Sequence, residues 1–234
     1  GFENMTQEDM ALPFVRILGQ LSPQVTDGDA KYIDGAKPGM IYNTVTSECF
    51  DGKKGIKVIP CYYKKDFPEW SDRGDGPGAP VAVHLPNSPV IQTGKRDGSK
   101  IRLPNGNYLE ETASYYVLVE TKAGGMTPAL ISMKSTQLNV SKKWNSMMKT
   151  IQIPDGKGGM AIPPMHGVVY NLQSVLQKND KGSWYGWSVT QDRIMGQEDK
   201  SLYLTAKDFN STAAKGNVQT KADVEEKAKD STPY

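Results

Sequence analysis

Glycine and proline interrupt this chain so often that long helices have little room to form. The 234 residues include 23 glycines and 15 prolines. Glycine adopts backbone conformations that other residues avoid, and proline lacks a backbone hydrogen-bond donor, so both tend to end a regular element. A chain divided in this way favours short strands joined by turns. We therefore predict a mixed α/β protein that is rich in β-structure.

Runs of β-branched and aromatic residues between the turns mark the predicted strands. They cover residues 40–46, 56–63, 81–84, 114–120 and 129–133, and a closing hairpin pairs residues 168–173 with 184–189 across a turn at 179–182. Pro60 falls inside the second of these strands. Because proline removes a donor from the strand ladder, we expect a sheet edge or a bulge at Pro60.

Three segments have the apolar spacing of helices. The first is predicted to begin near Pro13 and to end at Ser22, with an apolar face made of Met10, Phe14, Ile17, Leu18 and Leu21. The second covers residues 137–150 and carries Trp144 on its apolar stripe. The third is a short helix capped by Thr205, with Asp208 three residues later.

Strands interrupted by one mid-chain helix are compatible with a small β-barrel of the OB type, elaborated with N-terminal, mid-chain and C-terminal helices. An open antiparallel α+β sheet is the alternative, because periodicity does not determine whether a sheet closes. We expect a single nucleic-acid-binding domain over residues 1–214. Residues 215–234 are polar and poor in apolar side chains, which predicts a disordered tail.

Cysteine usage and hydropathy indicate a cytoplasmic protein. Cys49 and Cys61 are too few for a disulfide framework, and Cys61 lies in an apolar run that predicts a buried free thiol. No apolar run approaches the roughly 20 residues of a membrane helix, so no membrane partner is expected. No secretory signal stands at the start, although the first residues look trimmed.

The sequence contains no motif that predicts catalysis. Residues 156–159 are glycine-rich but lack the spacing of a phosphate loop. His84 lies in a predicted strand and His166 follows two prolines, and we interpret both as structural. Glu110 and Glu111 are adjacent, so on a strand they would point to opposite faces. We predict a binding protein without cofactor or metal; an enzyme of nucleic-acid metabolism would need acidic metal ligands, which leave no local motif.

The net charge of +2 hides an uneven distribution of charged residues. Residues 1–50 carry three basic and seven acidic groups, whereas residues 134–157 carry five basic and one acidic group. A nearly neutral protein with a local basic stripe can bind a polyanion there. An ordinary solvated surface shows similar fluctuations, so charge alone leaves both interpretations open.

Aromatic and basic residues alternate in one segment, which is the combination that binds unpaired nucleic-acid strands through base stacking and phosphate contacts. The candidate residues are Lys53, Lys54, Lys57, Tyr62, Tyr63, Lys64, Lys65, Phe67, Trp70 and Arg73. The structural alternative is a strand end with core aromatics and solvated lysines. Tyr62 and Tyr63 point to opposite faces of a strand, so at most one is core on a one-sided sheet.

Two further segments are weaker candidates. Lys142, Lys143 and Lys149 lie on the mid-chain helix, where Lys142 and Lys149 face away from the apolar stripe. Near the end of the chain, Trp184, Tyr185 and Trp187 lie on one predicted strand, where packing in the core is the favoured interpretation over stacking. Trp144 is likewise interpreted as core.

Four stretches resemble a family of tailed-bacteriophage proteins. They are LPFVRIL (residues 12–18), GMIYNTVT (39–46), VIPCYY (58–63) with EW (69–70), and TQL (136–138) with KWN (143–145), within a likeness that spans about residues 10–205. Some members are identified as single-stranded DNA-binding proteins of the replication module. The resemblance implies an OB-like protein that coats single-stranded DNA without a cofactor, in the cytoplasm of the host cell, during phage DNA replication and recombination.

The end of the chain departs from that pattern. Strand-coating proteins commonly end in an acidic tail that recruits replication proteins, but residues 215–234 carry four basic and four acidic groups. Either the chain is truncated after Tyr234 or recruitment works differently. Phage replication proteins are the partners that the resemblance implies for this tail.

Two hypotheses of different classes follow. The first is a sequence-tolerant single-stranded DNA-binding protein. The second is a phage virion structural or assembly protein, which the β-rich character, the long loops and the nearly neutral charge fit equally well. The first predicts a salt-sensitive response to oligonucleotides, and the second predicts self-association without one.

Overall fold

The computed structural model describes residues 12–72, 80–180 and 182–216. Its strands and helices, in chain order, are β1 (Val15–Ile17), β2 (Ile41–Asn43), β3 (Cys49–Phe50), β4 (Ile56–Trp70), β5 (Ala82–His84), α1 (Pro89–Thr93), β6 (Lys95–Asp97), β7 (Lys100–Arg102), β8 (Tyr108–Glu110), β9 (Thr112–Glu120), β10 (Met126–Lys134), α2 (Leu138–Thr150), β11 (Ile153–Pro154), β12 (Met160–Ala161), β13 (Val168–Asn179), β14 (Gly182–Ile194) and α3 (Lys200–Ala214). The prediction of a β-rich mixed fold is confirmed. None of the helices in these ranges has the length and apolar character needed to cross a membrane.

Five long strands form the body of the protein, in the order β14–β13–β4–β9–β10, and every pairing among them is antiparallel. The sheet curls into a half-barrel. It does not close, because in the part of the chain that the structure describes the edge strands β10 and β14 are not hydrogen-bonded to each other. The small sheet β1–β2–β3 lies beside the opening. Phe14, next to β1, forms a bridge with Leu130 of β10.

Strict alternation along β9 creates two hydrophobic clusters. Tyr115, Val117 and Val119 belong to the first cluster, whereas Tyr116 and Leu118 belong to the second, on the opposite face of the sheet. All five side chains are buried. Such a continuous apolar run is typical of a strand whose sheet is covered on both faces. Helix α2 packs against the first cluster and α3 against the second.

Trp144 packs α2 against the half-barrel, and the prediction that it is a core residue is confirmed. It is fully buried. Its ring stacks on Tyr115 with 4.3 Å between ring centroids and meets Tyr170 edge-on at 5.6 Å. The Tyr115 hydroxyl, which lies 2.8 Å from Ser141 Oγ, also donates to Asn145 Oδ1 at 2.9 Å, so the same tyrosine ties α2 to β9 by polar contacts.

The first predicted helix is wrong, and the predicted C-terminal helix is confirmed as α3 but without the predicted start and cap. Among the described residues of the predicted first helix, Val15–Ile17 form β1, because they pair with residues 41–43 of β2 across a long sequence separation that local spacing does not reveal. Leu21 is 94% exposed rather than buried. Thr205 does not cap the last helix, which begins at Lys200; instead the Thr205 hydroxyl donates to the Ser201 carbonyl inside the helix.

Other predictions are confirmed. α2 and the closing hairpin β13–β14 occupy the predicted segments, and Cys61 is a buried free thiol. A register shift between Pro60 and Tyr62 shows that Pro60 marks a bulge rather than a sheet edge. The predicted strand at 81–84 is present as β5, and the structure adds β6, β7 and β8, which the sequence analysis did not predict. The predicted tail lies outside the described residues from position 217 onward.

The C-terminal part of β4 leaves the half-barrel and builds a small lobe with β5, β6, β7, β8 and α1. One face of this lobe holds a third hydrophobic cluster of Phe67, Ile101, Leu103 and Leu109. Burial of these side chains and the pairing of β4 with both β5 and β8 hold the lobe together, and β4 itself continues into the body.

A buried carboxylate, that of Glu69, links three segments of the lobe by hydrogen bonds. Glu69 accepts hydrogen bonds from Asn107 Nδ2 at 2.6 Å, from His84 Nε2 at 2.7 Å and from Asn105 Nδ2 at 3.0 Å. These contacts tie β4 to β5 and to the turn between β7 and β8. The hydrogen bonds from Asn107 and His84 hold the pKa of Glu69 below its usual value.

Removing the Trp144 ring should destabilise the protein strongly. We expect Trp144→Ala to lower the free energy of unfolding by about 3–5 kcal/mol, because a large cavity opens between α2 and the sheet. Urea denaturation followed by circular dichroism measures the effect. Lys143→Ala on the exposed side of the same helix is the control, and equal midpoints for the two variants would contradict the assignment of Trp144 to the core.

The Glu69 contacts should make stability depend on acid pH. A lowered folded-state pKa means that the unfolded chain binds the proton more readily, so the carboxylate stabilises the fold at pH values above its unfolded-state pKa. This contribution is lost as the pH falls through the lower folded-state pKa. We expect urea midpoints to fall across this window and to fall less in Glu69→Gln, with the exposed Asp34→Asn as control. An unchanged pH dependence in Glu69→Gln would contradict this.

Candidate nucleic-acid interface

The predicted binding residues on β4 do not share one surface. Side chains alternate along the strand, so Tyr62, Lys64 and Trp70 lie on one face and Tyr63, Lys65 and Phe67 on the other. The contacts agree with this division: Lys64 pairs with Asp66 two residues on, and Lys65 Nζ lies 5.9 Å from the Phe67 ring centroid.

Three of the predicted aromatic side chains serve packing. Tyr63 lies against Tyr115 with 5.1 Å between ring centroids, and Tyr62 lies against Tyr116 at 5.7 Å. Because the sheet is covered on both faces, both tyrosines pack against a core. The expectation that at most one of them is a core residue holds only for a one-sided sheet and does not apply here. Phe67 is only 7% exposed within the third cluster.

Several of the predicted lysines already have carboxylate partners. Lys64 Nζ lies 2.9 Å from Asp66 Oδ2, and Lys65 Nζ lies 2.5 Å from Glu111 Oε1. Lys57 pairs with Asp192 of β14. Burial alone would lower the pKa of Lys64, but the hydrogen bond and charge of Asp66 outweigh it and raise the pKa. Lys57 thus links β4 to β14, whereas Lys64 pairs within β4 and Lys65 pairs with the residue between β8 and β9.

The remaining predicted residues lie far from Trp70. Lys53 and Lys54 are exposed in the turn before β4, whereas Trp70 is the last residue of that strand. A fully extended strand of this length spans roughly 45 Å. Lys142, Lys143 and Lys149 are exposed on α2, which packs on the opposite face of β4 from Trp70. Arg73 lies outside the described residues.

The lobe brings Trp70 together with residues that the sequence analysis did not select. Trp70 is directly opposite Tyr108 of β8, Tyr108 is opposite Arg102 of β7, and Arg102 is opposite Lys95 of β6. Residues directly opposite in antiparallel pairs share a face, so these four side chains form a row across four strands. The third hydrophobic cluster occupies the other face of the same strands.

Lys100 joins this row from the neighbouring position on β7. Its Nζ lies 3.7 Å from the centroid of the Tyr108 ring, and the Arg102 guanidinium carbon lies 5.6 Å from it. Two cations thus contact one aromatic ring. We call Trp70, Lys95, Lys100, Arg102 and Tyr108 the lobe face.

Carboxylates orient one cation of the lobe face, Arg102. Arg102 donates to Asp72 Oδ2 at 2.6 Å and to Asp97 Oδ2 at 3.3 Å, which raises its pKa. Glu110, beside Tyr108, accepts from Lys134 Nζ at 2.8 Å. Burial, followed by the charge of Glu110, raises the pKa of Tyr108, so its hydroxyl stays protonated at neutral pH.

A turn signal in the sequence would have located this site. Gly98 and Ser99 form a two-residue turn between β6 and β7, and Gly98 has a φ of 60°. A Gly-Ser pair between strands is typical of a hairpin. Pairing residues 95–97 with 100–102 then places Lys95, Lys100 and Arg102 on one face. The row with Trp70 requires the long-range register, which the sequence alone does not supply.

The aromatic residues of β14 divide as their alternation suggests. Trp187 is buried in the first cluster, which confirms the core interpretation for this residue. The Tyr185 ring packs on Gly39, where an added Cβ would lie 2.5 Å from a ring carbon. Trp184 and Tyr185 are half-buried and line a cleft with Leu18 and Leu21.

Acidic and metal-ligating side chains are dispersed in the described ranges. No group of three or more His, Cys, Asp or Glu residues is close enough there to hold a metal ion. His84 is occupied by its contact with Glu69, and His166 is buried against the Tyr203 ring with 5.1 Å between centroids.

Comparison with known proteins identifies a phage family. No curated protein and no solved structure matches the chain. A family model described as Pam3 phage gp34-like protein matches residues 1–219, which is most of the 234 residues. The predicted resemblance to bacteriophage proteins is confirmed at this level. The chain belongs to the Pam3 phage gp34-like family.

Proposed function

We propose that this protein binds single-stranded DNA through the lobe face and acts as a binding protein rather than an enzyme. The observation that carries the proposal is the row Trp70–Tyr108–Arg102–Lys95 across four strands. It places two flat side chains beside two cations on a surface whose opposite side already contains the hydrophobic cluster of the lobe.

Each part of the row matches one part of an unpaired nucleic-acid strand. Aromatic rings stack on bases without regard to sequence, and each stacked base contributes about 1–3 kcal/mol. Arginine and lysine contact phosphates, and the planar guanidinium of Arg102 suits a phosphate in two-point contact. In duplex DNA the base faces are already stacked, so Trp70 and Tyr108 favour the single strand.

The family membership supports a phage origin. The role in phage DNA replication or recombination, inside the host-cell cytoplasm, is part of the proposal. The five long strands of the half-barrel, with one helix between β10 and β13, suggest a distant OB-like architecture. The proposed activity needs no cofactor. Replication proteins of the phage remain the partners proposed for the segment after residue 216.

A separate observation favours the alternative, a virion structural or assembly protein. Apolar side chains are exposed near the tip of the β13–β14 hairpin, where Leu176 is 61% exposed and lies opposite Tyr185. Tyr185 shares a cleft with Leu21, which is 94% exposed. Such a patch can join copies of the chain. Light scattering at rising protein concentration, with and without oligonucleotide, separates assembly from DNA binding.

Removing the central aromatic ring should weaken binding to a fluorescent dT oligonucleotide. We expect Tyr108→Ala to raise Kd about tenfold, the contribution of one stacked base. Fluorescence anisotropy measures Kd, with duplex DNA of the same length for comparison. Tyr32→Ala, which removes an exposed tyrosine distant from Tyr108 in the sequence, is the matched control. Equal Kd values for both variants would contradict a stacking role for Tyr108.

Removing two cations from the lobe face should change the salt dependence of binding. For single strands the slope of log K against log salt falls by about 0.7 per phosphate contact, so Lys95→Ala with Arg102→Ala should reduce its magnitude by at most about 1.4, because carboxylates displaced from Arg102 take up counterions. Lys142→Ala with Lys149→Ala removes the same charge from α2 and should leave the slope unchanged. The same reduction in both double variants would show that phosphates do not bind preferentially at the lobe face.

A further inference from the structure

Strand β5 adds an apolar strip to the side of the lobe face. Val81, Val83 and Leu85 alternate along the chain and are 57%, 51% and 57% exposed. Val83 is directly opposite Pro68 of β4, and the Val81 backbone donates to the Glu69 carbonyl at 2.7 Å. We call these three residues the apolar rim.

The register places the apolar rim on the same face as Trp70. Pro68 and Trp70 are two residues apart on β4 and so share a face, and Val83 shares that face because it is opposite Pro68. Ala82 and His84 point to the other face, where His84 contacts Glu69. The apolar rim and the lobe face therefore form one continuous surface.

Chemical character changes in one direction across this surface. β5 contributes aliphatic side chains, β4 and β8 contribute Trp70 and Tyr108, and β7 and β6 contribute Arg102 and Lys95. With strands about 4.8 Å apart, the change from aliphatic side chains to arginine and lysine takes place over roughly 19 Å. Asp97 of β6 lies on the same face as these cations. A single nucleic-acid strand has the matching asymmetry, with apolar bases on one side and phosphates on the other.

We infer that a bound single strand runs along the direction of β4, with its bases over the apolar rim, Trp70 and Tyr108, and its phosphates over β7 and β6. This inference rests on the proposed function and adds the orientation of the strand to it. The cations lie on the side away from β5 and attract the phosphates to that side. The bases of the same strand then lie over the apolar rim. In a duplex the rim would meet phosphates instead, so it selects against paired DNA.

The apolar rim is tested by making it polar. Val81→Ser with Val83→Ser should raise Kd for a dT oligonucleotide about tenfold, comparable to the loss of one stacked base. The slope of log K against log salt should stay unchanged, because no phosphate contact is lost. The matched control is Val175→Ser with Leu176→Ser, which makes the same kind of change at the hairpin tip. Urea midpoints verify that both variants fold.

An oligonucleotide with abasic sites identifies the group that the apolar rim contacts. Removing bases should weaken binding of the unmodified protein more than that of the Val81→Ser, Val83→Ser variant, because that variant has already lost part of its base contacts. Equal effects on both proteins would show that the apolar rim does not contact bases.

The outcomes distinguish the inference from the proposed function. If the unmodified protein binds dT and the rim variant binds equally well, the orientation is wrong and the proposed function stands. If the rim variant changes only light scattering, the apolar rim joins copies of the chain and the inference fails. If the unmodified protein binds no single-stranded DNA at low salt, both fail.

Discussion

The bulge between Pro60 and Tyr62 is the local constraint on which the faces of β4 depend. Before it, Ile56 and Val58 belong to the first hydrophobic cluster; after it, the shifted register directs Tyr63 to that cluster and Tyr62 to the second. A one-residue shift exchanges the two faces of every later position in a strand. The bulge therefore decides that Phe67 is buried in the lobe and that Trp70 lies on the lobe face.

Body and lobe use the same long strand under different conditions of burial. In the body both faces of the sheet are covered, so every residue of β9 before Glu120 is buried, and its tyrosines pack against rings of neighbouring elements. In the lobe the hydrophobic cluster occupies one face, and the other carries Trp70, Tyr108 and cations. Where a sheet is covered on one side only, its other side can present side chains to a ligand without loss of core.

Local sequence patterns predicted what local chemistry determines. Runs of β-branched residues located the strands of the body, the stripe around Trp144 located α2, and Pro60 located the bulge. Pairing between distant segments was not predictable in this way: β1 replaces a helix because Val15 pairs with Asn43. The make-up of the candidate site depends on the same kind of long-range pairing. The sequence analysis selects Trp70, but the row in which Trp70 lies requires its pairing with Tyr108, 38 positions further along the chain.

The carboxylates beside the lobe face bear on how a nearly neutral protein could hold a polyanion. Asp72 and Asp97 fix the Arg102 guanidinium in place, which lowers the entropy cost of orienting it toward a phosphate. Exposed ion pairs of this kind contribute little to stability, so exchanging a carboxylate for a phosphate costs little. Each exchange also leaves a carboxylate that takes up a counterion, which reduces the net gain from counterion release. Affinity at such a surface must then come mainly from contacts with bases, and this favours a DNA strand whose bases are unpaired.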